Sequence, residues 1–352
     1  MRWPWQRSGS GDHLVVSWSG QTLAYVQGRN NRHGVFELSR MGLEYQGTDT
    51  LEDFAARLVS QGLGNHSAIA MLRPEQFLML QIPAPAVPAD ELRAAVRYQV
   101  RDLVDVHIDD LTLDVLRVGN GEDKGADQVF VVTSPNANIR AVMDLANAAA
   151  WTVSIIDVHE MAQRNLQSLM AARNDLADRA TACLMVVSDK QALLTVCAKG
   201  ELYYSRRLDL PEGFIAMDWG SAAEFFDDEP AQAYTPVTEY VPDYGGGGFS
   251  TTGASSAGQS DSDRAQRVVV EVQRSLDLWD RTWTNLPMAG LTVYAGDRTF
   301  DLATWLSQEI GQAVTSLDLE SVFPALASAG PQEKLACAPL LGVLLRAEGG
   351  AS

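Results

Sequence analysis

Five histidines, His13, His33, His66, His107 and His159, and three cysteines, Cys183, Cys197 and Cys337, are the side chains of this 352-residue chain best able to ligate a metal or move a proton. None of them stands at a metal-ligand spacing, and the cysteines form no C-x-x-C pair. The chain also lacks a P-loop and a G-x-S-x-G nucleophile elbow. His159 directly precedes Glu160 at the start of a helical stretch. That pair is expected on the surface rather than as an acid-base dyad. Trp279 and Trp283 are four residues apart in a long helical pattern, a spacing that suits burial against a sheet better than stacking on a cofactor. Apolar neighbours around each cysteine predict buried, reduced thiols and a reducing compartment.

Charge removes another class. With 27 Lys and Arg against 45 Asp and Glu, the formal net charge is −18. A chain this acidic opposes the phosphate backbone, so no nucleic-acid partner is expected. No run reaches the 18 or so apolar residues of a membrane span, and the N-terminus lacks the apolar core of a signal peptide. A cytoplasmic protein is expected. The opening Met1-Arg2-Trp3-Pro4-Trp5-Gln6-Arg7 mixes indoles with arginines, as interfacial segments do, but is too short to anchor the chain. Residues 1–11 read as a flexible leader.

The elements that would position any site alternate between strands and helices. Leu14–Trp18 and Gln21–Val26 flank Ser19-Gly20 as a hairpin, and a third strand is predicted at Val35–Leu38. Thr50 and Asp53 make a capping box for a helix whose apolar face is Leu51, Phe54, Ala55, Leu58 and Val59. Strands at 67–72 and 77–82 complete the first unit, 12–85. The prolines of 83–88 make a stiff connector. An inserted α+β subdomain is predicted at 86–150: a helix from Asp90, strands at 111–118 and 128–133, and a helix capped by Ser134-Pro135. A strand at 152–156 and a polar helix from about 158 to 177 return the chain to the first lobe over 151–180.

A second meander, 183–187, 192–198 and 202–208, echoes the first about 170 residues on, as a duplicated two-lobed fold would. It opens a second lobe over 181–330. Within that lobe the Gly/Ser/Thr-rich tract at 242–262, centred on Tyr244–Ser260, is predicted to be flexible. A helix from Asp263 carries Ala265, Val268, Val269, Val272, Leu276, Trp279 and Trp283 on one stripe. The strand 291–295, the turn Gly296-Asp297 and the helix 300–311 follow. A last apolar helix, about 333–346 within 331–352, is expected to pack back on the first lobe.

The ordered set LVVSWSGQTLAYV, PADELRAAVRYQVRDLVDVHIDDLTLDVLRV, VVEVQRSLDLWDRTW, LTVYAGD and APLLGVLLR resembles the PilM family of actin-like pilus assembly proteins, and MshI, its counterpart in mannose-sensitive haemagglutinin pili, resembles the chain more closely still. The resemblance covers about 12–210 and 263–348. It implies an α/β, two-lobed, actin-like (ribonuclease H-like) ATPase fold with the inserted subdomain. It also implies a nucleotide site at two hairpin turns and one glycine turn. The family's first turn carries Asp-x-Gly, whose acid holds metal-bound water and whose glycine admits phosphate to the backbone amides. Here those places fall on Ser17 and Ser19, with Gly20 and Gln21 following. The second turn reads Ser188-Asp189-Lys190, where Asp189 could stand in after a shift of register. The third keeps Gly296, followed by Asp297. Without an acidic pair, phosphoryl transfer loses its metal and its oriented nucleophile. The expectation is therefore a degenerate site that at most holds ATP or ADP without hydrolysis.

The resemblance further implies a scaffold, peripheral at the inner membrane, that binds the cytoplasmic N-terminal tail of a PilN-like single-span protein. Arg93, Arg97 and Tyr98 are the candidate tail contacts. An active actin-fold ATPase or sugar kinase, and a cytoplasmic module like that of the type II secretion protein GspL, are the alternatives.

Overall fold

A computed structural model describes residues 12–30, 36–119, 128–219 and 261–349. The expected leader lies outside the described residues, as does the Gly/Ser tract up to residue 260. The last two positions of that tract, 261 and 262, open a helix.

Two five-stranded sheets have the same strand order. In the first, β1 (His13–Trp18), β2 (Thr22–Asn30) and β3 (Phe36–Tyr45) form an antiparallel meander, and β4 (Ser67–Met71) pairs parallel to β1. Helix α1 (Leu51–Ser60) lies between β3 and β4, with Thr50 accepting from the Asp53 amide as its cap. The third strand runs to Tyr45, well past the predicted 38, because Arg40 to Tyr45 pairs with Thr22 to Gln27 residue for residue.

After β4 the chain leaves the first sheet. Strands β5 (Leu78–Pro83), β6 (Leu111–Arg117) and β7 (Gln128–Pro135) form a separate three-stranded antiparallel sheet in the order β5-β7-β6, with α2 (Leu92–Val100) on one face. The nested subdomain therefore begins at β5 rather than at 86, since β5 pairs with β7 and not with the first lobe. It also ends sooner than 150. Helix α3 (Asn136–Ala148) packs on α1 and leads into β8 (Thr152–Asp157), the last strand of the first sheet. Trp151 seals that joint by donating from Nε1 to the Leu63 carbonyl. Pro135, not Ser134, is the helix cap, because the Ser134 hydroxyl is spent on the Gln76 carbonyl at 2.8 Å.

Helix α4 (His159–Arg173) then crosses to the second lobe. There β9 (Ala180–Val186), β10 (Gln191–Ala198), β11 (Glu201–Asp209), β12 (Met288–Tyr294) and β13 (Val314–Ser316) repeat the first sheet, so that β9 and β10 take the places of β1 and β2. Central strands covered on both faces read as continuous apolar runs, as β9 and β10 do. Helices α5 (Asp261–Thr282) and α6 (Thr299–Ile310) cover the outer face. Trp279 and Trp283 stack at 5.7 Å with Tyr203 edge-on to both, which makes the tryptophan stripe core.

Helix α7 (Pro331–Gly349) returns to the first sheet and lies against α4. The contact is close: a Cβ on Gly342 would sit 2.0 Å from the Ala162 carbonyl oxygen. The sequence of α4 reads as polar, yet the helix is buried between the two sheets. Its amides replace the apolar side chains expected there. Gln163 donates to the Cys183 and Leu193 carbonyls, and Gln167 donates to the Thr181 carbonyl and accepts from Thr195. All three cysteines are free and buried, and burial pushes the Cys183 and Cys337 thiols up to about 12.

Candidate functional site

The cleft between the lobes, about 580 Å³, is lined by Ser17, Arg73, His159, Ser188 and Asp189, with Leu335 and Ala336 of α7 along one wall. The two equivalent hairpin turns thus meet, as the duplication requires. Most of their amides, however, are already bonded within the turns. Ser19 Oγ accepts from the Thr22 amide at 2.9 Å and from the Gln21 amide at 3.3 Å, around Gly20 at φ +90°. In the second turn Ser188 Oγ accepts from the Lys190 amide, and the Val187 and Ser188 amides donate to the Gln191 carbonyl. A phosphate cradle needs such N–H groups unpaired and pointing at the ligand. Asp189 is the single carboxylate among the lining residues.

The glycine turn is covered as well. Gly296 takes φ +57°, and a Cβ added there would meet Leu335 Cγ at 3.3 Å. Asp297, though exposed, is already paired: Lys334 of α7 holds it at 2.7 Å and Glu320 at 2.8 Å. These residues are a poor fit for a magnesium-bound nucleotide, which requires carboxylates at the metal and a clear shelf beside the turn.

His159 and Glu160, expected on the surface, are both buried. Strand β8 ends at Asp157 in the sheet and delivers the first turn of α4 into the junction of lobes and subdomain, a placement with no local sequence signal. Burial lowers the His159 imidazole to about 3, with the Arg207 and Arg73 guanidinium groups adding to the effect, so it is neutral. Burial pushes the Glu160 carboxyl up while Arg207 pulls it back.

Arg207 of β11 ties three parts together. Its Nε and Nη2 donate to Glu160 Oε1 at 3.1 and 3.0 Å, its Nη1 donates to the Pro74 and Phe77 carbonyls, and its guanidinium lies 4.1 Å over the Phe77 ring. Beside it a small cavity, about 200 Å³, opens between β5, β7 and β11, lined by Leu78, Met79, Gln81, Phe130, Glu160, Ser205 and Arg207. Sequence reasoning missed Arg207 because nothing local distinguishes it from Arg206.

The other predicted contacts lie elsewhere. Val96 and Val100 of α2 pack on Ile82, Leu113, Val129 and Val131, whereas Met79 and Phe130 point to the opposite face of the sheet. Arg93 pairs with Asp114 and Arg97 with Asp109, both in the open, and Tyr98 is 77% exposed. These three are not among the residues lining the junction cavity.

Residues 43–211 match the model of the family described as Type IV pilus assembly protein PilM. No curated protein matches the chain significantly. Among solved structures, a PilM-PilN type IV pilus biogenesis complex aligns with TM-score 0.64 at 15% identity, covering 95% of this chain and 98% of that one. The cytoplasmic domain of EpsL, an inner membrane component of the type II secretion system of Vibrio cholerae, gives TM-score 0.40 at 14% identity over 63% of this chain and 79% of that one. A protein of unknown function with an actin-like ATPase fold from Bacteroides thetaiotaomicron gives 0.45 at 9% identity over 93% and 96%. With its duplicated five-stranded sheets and its nested three-stranded subdomain, the chain has the actin-like fold of that PilM-PilN structure, and over residues 43–211 its sequence is similar to the PilM family.

Proposed function

We propose that this chain is a non-catalytic scaffold of type IV pilus assembly, one that holds the cytoplasmic N-terminal tail of a PilN-like, single-span membrane protein where the first lobe, second lobe and nested subdomain meet. The observation that carries the reading is the junction itself. Strand β5 pairs only with β7 among the described residues, leaving an edge beside an apolar-walled cavity that an extended tail can fill. The cleft supports the non-catalytic half: most of its turn amides bond within the turns, and Leu335 stands against the glycine turn. An active ATPase would have to work from Asp189 alone.

No helix among the described residues is long and apolar enough to cross a membrane, so in this reading the partner tethers the protein to the inner membrane from the cytoplasmic side. The net charge of −18 suits a tail with Lys or Arg next to its span, as the positive-inside bias supplies. A pull-down with a synthetic tail peptide tests the reading, and wild-type protein should retain the peptide. Arg97→Glu and Tyr98→Ala, on the far face of the subdomain, show whether the tail also reaches α2. Absence of binding at high peptide concentration overturns the scaffold.

A further inference from the structure

A groove of about 820 Å³ runs between the outer edge of β11 and α5. It is lined by residues 206–211 and by α5 from Gln266 to Arg274, with nothing from the first lobe or the nested subdomain. Strand β11 is the end strand of the second sheet, next to β10 alone. The Leu210 amide donates to the Lys190 carbonyl at 2.7 Å, which fixes the alternation of that ladder. Arg206 and Leu208 therefore bond to β10, whereas Arg207 and Asp209 turn N–H and C=O outward. No backbone partner reaches those four groups among the described residues. Pro211 has no N–H, and the Leu202 carbonyl already accepts from Gly119, so the open edge is short.

Side chains alternate across the strand, so Arg206 stands on the α5 face while Arg207 stands on the other, held by Glu160. On α5, Arg267, Val270, Glu271 and Arg274 fall at spacings of three and four and form one stripe along the groove. Glu271 is shared: Oε2 accepts from Arg206 and Oε1 accepts from Arg274 at 2.9 Å. Three guanidinium groups, those of Arg206, Arg267 and Arg274, thus line this wall with one carboxylate. The excess is cationic in a chain whose formal net charge is −18.

We propose that this groove docks an acidic, extended segment of a second protein, which adds as a strand at Arg207 and Asp209 and sets an Asp or Glu side chain against Arg206 and Arg274. The site is separate from the tail groove and does not depend on tail binding. Charge selects the side chain: guanidinium forks pair with a carboxylate, and an incoming Lys or Arg would meet three like charges. The edge selects the backbone, because a small free anion leaves the outward carbonyls unserved whereas a strand satisfies N–H and C=O alike. Leu208, Val268 and Val270 give the groove an apolar floor between the charges.

Fluorescence anisotropy of the full chain with labelled nine-residue peptides of alternating Thr and X, where X is Glu, Gln or Lys, tests this. The Glu peptide should bind at least about 10-fold tighter than the Lys peptide, and added salt should narrow the gap because exposed charges are screened. N-methylation of the amides of alternate residues should abolish binding in one of the two alternations and spare the other, as a strand edge requires. Arg274→Glu, at a side chain 68% exposed, should erase the preference for Glu over Lys. Asp209→Pro removes one outward N–H without touching the ladder to β10, and should weaken the Glu peptide roughly 10-fold. Arg274→Glu keeps the test decisive if Asp209→Pro fails to fold. No binding of the Glu peptide to wild type, equal binding of the Glu and Lys peptides, or indifference to N-methylation in both alternations overturns the proposal. So does displacement of the Glu peptide by the tail peptide, which would put both in the junction. Binding that emerges only when Glu224, Asp227, Asp228 and Glu229 are changed to Gln or Asn would assign the groove to this chain's own acidic run and overturn the second protein.

Discussion

Ser19 and Ser188 occupy equivalent turns of the two lobes and bond alike: each hydroxyl accepts the amide two residues on, Gln21 in one and Lys190 in the other, both at 3.3 Å. Serine at a turn closes on its own backbone in this way. The consequence is shared by both walls of the cleft. Groups that would face a phosphate face a hydroxyl instead.

Nucleotide chemistry is the first expectation to follow. Calorimetry with Mg-ATP should show weak binding at most, and phosphate release should not exceed the buffer rate. Asp189→Ala should change neither. Tight binding with turnover that disappears in Asp189→Ala would show that this one carboxylate organises the metal after all.

Gly342 sets the spacing of the two helices between the lobes. A methyl group there overlaps the Ala162 carbonyl, which belongs to helix backbone and cannot move aside as a side chain would. Gly342→Ala should destabilise by about 2 kcal/mol or more despite the better helix propensity of alanine, which contributes about 1 kcal/mol the other way. Urea unfolding with an unchanged slope reads the difference directly.

The pH dependence of stability should carry the signature of His159. Its folded value near 3 lies below the ordinary 6.5, so the unfolded chain binds a proton that the folded chain refuses. Its contribution is complete above pH 6.5 and is lost as the pH falls from 6.5 toward 3, by about 1.4 kcal/mol per unit at most. The elevated Glu160 carboxyl works in the opposite sense, so the comparison is wild type against His159→Gln at pH 7 and pH 5. The variant should lose less stability over that interval. Equal losses would mean that His159 is protonated in the folded protein.

Two ion pairs of α7 should differ in worth. Arg346 donates at 2.8 Å to Asp157, which is 2% exposed, and Arg346→Met strands that carboxylate at a cost of about 2 kcal/mol. Lys334 pairs with Asp297 and Glu320, whose side chains are 45% and 47% exposed and would rehydrate. Lys334→Met should therefore cost under about 1 kcal/mol. Thermal melts of the two variants rank them.

The alternation of β-rich runs with amphipathic helices, the cap at Thr50 and the repeated meander were written locally, because period and turn chemistry depend on neighbours a few residues away. So was the replacement of the first turn's acid by Ser17 and Ser19. Pairing across distance was not. Whether Leu78–Pro83 joined the first sheet or the nested one turned on which edge β7 presented, 45 residues on. The polar face of α4 gave no hint of burial, since Gln163 and Gln167 pass for solvent-facing residues until strand carbonyls of the second lobe come within 3.1 Å. Glu160 and Arg207 are 47 residues apart and unremarkable in sequence. Only the closure of the two lobes around the subdomain removes water from that pair, and removal of water is what pushes the Glu160 carboxyl up.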